Sequence, residues 1–165
     1  MDNYKMTSKD FFKSIQIIHF ALMTGLIFFG AITFYLNYSG LAIENETEMN
    51  TAFMYVVPIF TISGIFASNF LFKQRLKNCV KQSTLKEKLN EYRSALIIKF
   101  AIIEGSSFFV VIAYYLTGQY IYLGFLGLLL IIFVTYRPTK EKAIMDLELS
   151  HLDKQLIHDS DATIN

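Results

Sequence analysis

The 165-residue chain predicts an all-α membrane protein of four transmembrane helices, built as two duplicated hairpins. Three observations carry this reading. Apolar residues fall in blocks about 20 long, positive charge is segregated by segment, and the first block recurs 80 residues later.

The chain is 53% hydrophobic and 18% charged, and its apolar residues do not form the amphipathic stripes of a soluble domain. A block of about 20 residues crosses a ~30 Å hydrocarbon core at 1.5 Å per residue. The spans are expected at about 15–36, 53–72, 95–116 and 120–136. The last is the shortest, and Gly124 and Gly127 weaken it as an isolated helix. Pro58 is expected to kink the second span or to sit in its first turns. Lysines precede the first span as they do in a signal peptide. Its apolar stretch is longer than a signal core, however, and no clear cleavage site follows, so it is expected to stay in the membrane.

The net charge of +1 hides a strong asymmetry. Lys5, Lys9 and Lys13 precede span one. Lys73, Arg75, Lys77, Lys81, Lys86, Lys88 and Arg93 lie between spans two and three, and Arg137, Lys140, Lys142 and Lys154 follow span four. The segment 37–52 carries Glu44, Glu46 and Glu48 and no basic residue. Lys and Arg are held on the cytoplasmic side. Both termini are therefore expected there, in the inner membrane of a bacterium. The sequons at Asn37 and Asn45 would then be coincidence.

Residues 17–36 and 97–116 align without a gap and share ten of twenty positions. Composition alone would match roughly two or three and would not align the glycines. The identities include Ile18/Ile98, Ala21/Ala101, Gly25/Gly105, Phe28/Phe108, Ile32/Ile112 and Tyr35/Tyr115. Their 3-4-3-4-3 spacing describes one helix seam. Ala21/Gly25 and Ala101/Gly105 are small-xxx-small pairs that admit a close neighbour. The two copies run in the same direction, so the duplication is parallel. Spans one and three are expected to face each other, or equivalent neighbours, through this seam.

Glu104 is the acidic residue of the spans, about ten residues into span three. A carboxylate at that depth is costly unless paired or solvated, and by default is functional. Thr24 is its counterpart in the first copy, with Ser106 and Ser107 close behind it. The bland reading makes Glu104 a hydrogen-bond donor that fixes helix register; the sharp one makes it a carrier of protons or ions. His19 and Lys99 are counterparts in the two copies, both expected to orient toward headgroups. A His19–Glu104 contact needs a turn of vertical reach.

Residues 73–94 read as cytoplasmic extensions of spans two and three, turning near 82–84. Pro138 opens an amphipathic helix over about 139–157, and 159–165 reads as a frayed, disordered tail. Residues 1–158 are expected to form one domain. Cys79 is the single cysteine, so no intrachain disulfide can form. No phosphate loop, dinucleotide fingerprint or metal-binding cluster is present in the sequence, and neither cofactor nor metal is expected.

The runs Glu91–Leu96 through Glu104-Gly105, Leu116-Thr117-Gly118 and Arg137-Pro138-Thr139-Lys140 resemble a family of small uncharacterised four-span membrane proteins from Bacteroidetes-type bacteria. The resemblance implies a fold and a compartment, and no activity. Span three is also similar to the carboxylate helix of rotary ATPase proteolipid subunits, with a basic loop ahead and Glu104 midway. The chain departs from that pattern in lacking a glycine-repeat helix and in its long basic connection. The leading expectation is a non-enzymatic structural or accessory subunit of a membrane assembly. The alternative is a small proton- or ion-coupled transporter or channel component using Glu104. Expected partners are the lipid bilayer and, through the seams, a second copy or other membrane subunits, with no nucleic acid.

Overall fold

A computed structural model describes residues 7–41, 47–160 and 162–164. The acidic pair Glu44/Glu46, the sequon residue Asn45 and Lys5 lie outside them. The described chain is helical: α1 Ser8–Tyr38, α2 Thr47–Val80, α3 Leu85–Thr117, α4 Ile121–Thr135, α5 Lys140–Asp146 and α6 His151–His158. An isolated antiparallel bridge joins Thr7 to Thr163.

Hydroxyl caps start these helices. Thr84 accepts from the Glu87 amide at 3.2 Å while the Glu87 carboxylate accepts from the Thr84 amide at 3.3 Å, a reciprocal box opening α3. Thr7 accepts from the Asp10 amide ahead of α1, Thr139 from that of Lys142 ahead of α5, and Ser150 from that of Asp153 ahead of α6. Glycine ends two helices. Gly40 (φ 68°) and Gly118 (φ 66°) take the left-handed backbone that closes α1 and α3.

At 31, 34 and 33 residues, α1, α2 and α3 are each about 46–51 Å long, well beyond a ~30 Å core. Each contains a window apolar enough to cross a membrane. Helix α4 is apolar throughout but has only 15 residues. The fold is therefore all-α with three to four candidate membrane-spanning helices. Pro58 lies within α2, and its neighbours keep helical hydrogen bonding.

The chain divides into two compact units. One comprises residues 21–69 and 100–136, with α3 at its centre. Phe108 of α3 meets Phe29 of α1 at 5.3 Å between ring centroids. Phe109 meets Phe60 of α2 at 4.6 Å, and Phe100 meets Phe133 of α4 at 5.7 Å. Its outside is apolar, with Phe28, Ile59, Phe66 and Ile131 all exposed. Its buried polar groups are hydroxyls. Thr33, Ser68, Ser106, Ser107 and Thr117 each donate to a carbonyl three or four residues back on their own helix. An apolar exterior over a partly hydroxylated interior suits hydrocarbon as solvent and would be an aggregation surface in water.

The other unit comprises residues 1–20, 70–99 and 137–165 and contains every described lysine and arginine. Its core includes Phe11, Ile15, Leu89, Tyr92, Leu147 and Ile157. The start of α1 and the described C-terminal residues meet within it. The Ser8 hydroxyl donates to the Ile157 carbonyl at 2.7 Å, and the Ser8 and Lys9 amides donate to the carbonyls of Ala162 and Ser160. Ile164 is buried. The described residues of the tail, expected to fray, are thus held by backbone hydrogen bonds along the start of α1.

The expected continuous helix over 139–157 is broken. Glu148 has φ 49°, the Leu149 amide donates to the Ile144 carbonyl, and that of Glu148 donates to Met145. This is the two-bond closure that ends a helix on a left-handed residue. It frees Ser150 to cap α6. The apolar spacing continues across the break, so periodicity alone read one helix. Glycine takes this backbone without the Cβ clash. Glu148→Gly should raise stability by about 1 kcal/mol in thermal unfolding followed by circular dichroism. In an unbroken helix the same change would lower it by about as much.

Cys79, beyond the second apolar block, is fully buried, and its thiol donates to the Arg75 carbonyl at 3.3 Å. Burial, aided by the charge of Glu91, pushes the thiol up to about 11 from its ordinary 9.0. The folded state holds this proton more tightly than the unfolded one. The resulting stability is complete below about pH 9 and is lost as the pH rises toward 11. Thiolate is the reactive form. Iodoacetamide should therefore label the folded protein slowly at pH 8 and faster only as the pH approaches 11, whereas detergent-unfolded chain should react readily at pH 8. Equal rates at pH 8 would contradict the burial.

Candidate functional site

Glu104 is half-buried on α3, at the edge of an outward stripe formed by Ile97, Ala101, Gly105 and Ile112. Among the described residues, none forms a hydrogen bond or ion pair with its carboxylate. Ser107 is buried one turn on, but its hydroxyl proton goes to the Ile103 carbonyl at 2.8 Å, and that of Ser106 goes to Ile102 at 2.9 Å. Thr24 is half-buried in the same unit. His19 belongs to the other unit, where it is 4% exposed. Its expected orientation toward headgroups is therefore corrected: position 19 lies on the buried stripe of α1 with Ile15. Among the described residues no group of three His, Cys, Asp or Glu side chains is placed to hold a metal ion.

The seam also departs from expectation. Ala21, Gly25, Phe28, Ile32 and Tyr35 are exposed, and Ile18 is half-buried. In α3 Ala101, Gly105 and Ile112 are exposed, while Ile98, Phe108 and Tyr115 are half-buried. Spans one and three do not face each other along most of it, although Phe108 of the seam meets the Phe29 ring of α1. Helix α1 packs instead through Leu26, Gly30 and Thr33, more than a third of a turn away. The reason is steric. A Cβ at Gly30 would lie 2.9 Å from Leu126, so the close approach of α1 to α4 uses Gly30, whereas a Cβ at Gly25 would meet nothing within 4 Å. Lipid offers no hydrophobic drive to bury the more apolar face, and small residues decide which faces meet.

Several aligned positions of 17–36 and 97–116 and just before them share their burial, although 20/100, 27/107, 31/111 and 34/114 are exposed in α1 and buried in α3. Positions 15/95, 26/106, 30/110 and 33/113 are buried in both, and 17/97, 21/101, 25/105 and 32/112 are exposed in both. Beside Gly105, a groove of about 340 Å³ runs between Phe60, Ser63, Gly64 and Ala67 of α2 and Ala101, Ile102, Gly105 and Ser106 of α3. Its walls are small and mostly apolar, with no ionisable group, so it fits an alkyl or aromatic knob and no charged ligand.

Sequence reasoning passed over a cluster in the basic unit. The Lys99 ammonium lies 4.4 Å from the centroid of the Phe72 ring, which packs against Tyr92 at 6.0 Å. The Tyr92 hydroxyl donates to Asp146 Oδ2 at 2.8 Å, and Lys142, one turn before Asp146, donates to the Arg137 carbonyl at 3.0 Å. Burial and the charge of Asp146 hold the Tyr92 phenol above its ordinary range. The available signal was Lys99 itself, a cation set inside an apolar block. Nothing linear ties it to Asp146.

Two glycines of this region separate intrachain packing from open surface. A Cβ at Gly64 would collide with the Ser106 side chain, while one at Gly105 meets nothing within 4 Å. Gly64→Ala should cost about 1–3 kcal/mol through overpacking. Gly105→Ala should stabilise the isolated chain by about 0.5–1 kcal/mol through helix propensity. Thermal unfolding in mild detergent reads both, and an unperturbed Gly64→Ala would refute the α2–α3 contact. No family model, curated protein or solved structure matches the chain.

Proposed function

We propose that the protein is a non-enzymatic structural or accessory subunit of a bacterial inner-membrane assembly, a four-span chain of two duplicated hairpins with both termini in the cytoplasm. One observation carries the subunit reading. Gly25 and Gly105 occupy matched positions on outward stripes, where their own chain leaves open space. A mid-helix glycine costs about 1 kcal/mol relative to alanine, so close approach by another helix gives these positions a reason that intrachain packing does not. The orientation is supported by the gathering of the basic N-terminal, central and C-terminal segments in one unit. The duplication is supported by the ten identities between 17–36 and 97–116.

Protein purified from its native membrane in mild detergent should carry stoichiometric partner subunits by native mass spectrometry. Gly25→Leu and Gly105→Leu should release them while helicity and thermal stability persist. A bare chain in the wild type would overturn the reading.

A second reading makes Glu104 the proton- or ion-carrying group of a small transporter or channel component. It is favoured by the absence of any hydrogen bond between Glu104 and a described residue, which leaves a register-fixing role without an intrachain contact. Under it, reconstituted protein should conduct protons in liposomes, and Glu104→Gln should abolish the flux with the fold intact. Equal flux in both proteins would exclude it.

A further inference from the structure

We infer that Tyr35, Tyr55, Tyr115 and Tyr120 form a girdle that seats in the headgroup layer of one bilayer leaflet. One tyrosine comes from each of α1, α2 and α3, and the fourth caps the start of α4. All four belong to the apolar unit. Contacts along the helices give their directions. Phe100 and Tyr114 of α3 meet Phe133 and Tyr120 of α4 in reverse order, and Ser106 and Phe109 meet Gly64 and Phe60 of α2 likewise.

The same contacts fix the depth of each tyrosine. Tyr55 stands nine residues from Gly64, and Tyr115 nine from Ser106, the residue that a Cβ at Gly64 would strike. Tyr35 is six residues beyond Phe29 and Tyr115 seven beyond Phe108, and those two rings meet at 5.3 Å. Tyr35 is five residues past Gly30 and Tyr120 six before Leu126, which excludes a Cβ there. The counts differ by at most one residue, about 1.5 Å along a helix axis. Four helices thus bring a phenol to one level.

Tyr35, Tyr55 and Tyr120 are 64%, 67% and 66% exposed, and Tyr115 is half-buried. The level is a boundary of polarity. On one side Ile32, Ile59 and Leu128 are exposed, and on the other Ser39, Thr51 and Gln119 are. No described lysine or arginine lies in this unit, so charged side chains do not anchor it here. Tyrosine has an apolar ring and a polar tip, which suits the seam between hydrocarbon and headgroups. A protein partner would cover one side of the unit, whereas phenols spread over four helices match a shell of lipid. The girdle presupposes the four-span reading and needs no partner protein. On the orientation proposed above, its leaflet is the outer one.

The chain has no tryptophan, so a single one introduced by substitution reports its own surroundings. Tyr35→Trp, Tyr55→Trp and Tyr120→Trp would each be placed in the full chain in phosphatidylcholine vesicles. Lipid brominated near the headgroup should quench them about twofold more than lipid brominated near the chain ends. Phe66→Trp and Leu128→Trp, exposed and at least eight residues deeper on α2 and α4, should show the reverse preference. Stronger quenching of the girdle from the chain ends, or different depths among its three members, would overturn the proposal and leave the spans standing. Girdle tryptophans that no brominated lipid reaches, beside quenched controls, would assign the level to a protein partner and overturn it too. Controls that escape every brominated lipid would remove the four-span reading and the girdle together.

Discussion

Two contacts with no room for a methyl group, Gly30 against Leu126 and Gly64 against Ser106, set which faces of the apolar helices meet. In water the most hydrophobic face of each helix would turn inward. In hydrocarbon that preference vanishes, and van der Waals fit takes its place. The packing of α1 follows from this. Its buried stripe contains a glycine and a threonine, while Phe28, Ile32 and Tyr35 point outward. The aromatic contacts of Phe108, Phe109 and Phe100 then gather α1, α2 and α4 around α3.

The basic unit answers to different physics. Its helix ends carry polar backbone groups, and the sequence supplies a Ser or Thr cap for α1, α3, α5 and α6. Chain closure adds long-range order, since the Ser8 hydroxyl and the Ser8 and Lys9 amides bond residues at the opposite end of the sequence. The buried tyrosine–aspartate pair and the lysine on Phe72 place charge where each group has a defined neighbour. Buried charge is tolerated on that condition.

The features that bear on function are surface features. Gly105, where an added Cβ would meet nothing, lies on the outward stripe of α3 and lines a small-walled groove, with Glu104 beside it, while Gly25 takes the matching position on α1. The hydroxyls of Ser106 and Ser107, close behind Glu104 in the chain, are committed to their own helix carbonyls.

The sequence by itself determined the helices, because block length and Gly, Pro, Ser and Thr punctuation are local properties. The C-terminal end of α1, the turn at 81–84 and the limits of α4 were legible in this way to within a few residues, whereas α1 begins seven residues before its apolar block. The identities between 17–36 and 97–116 were legible too, and so was Glu104 as an acid within an apolar block. Tertiary structure alone decided which stripe of α1 is buried, since 3-4 spacing marks a seam without saying what it faces. It alone broke the last amphipathic helix at Glu148, where a left-handed residue that is not glycine leaves no compositional trace. It also seated the tail against α1 and joined Lys99 to Asp146, because both depend on where distant segments arrive in space. Local chemistry is written along the chain, whereas the partners of a helix face depend on the shape of whatever comes to meet it.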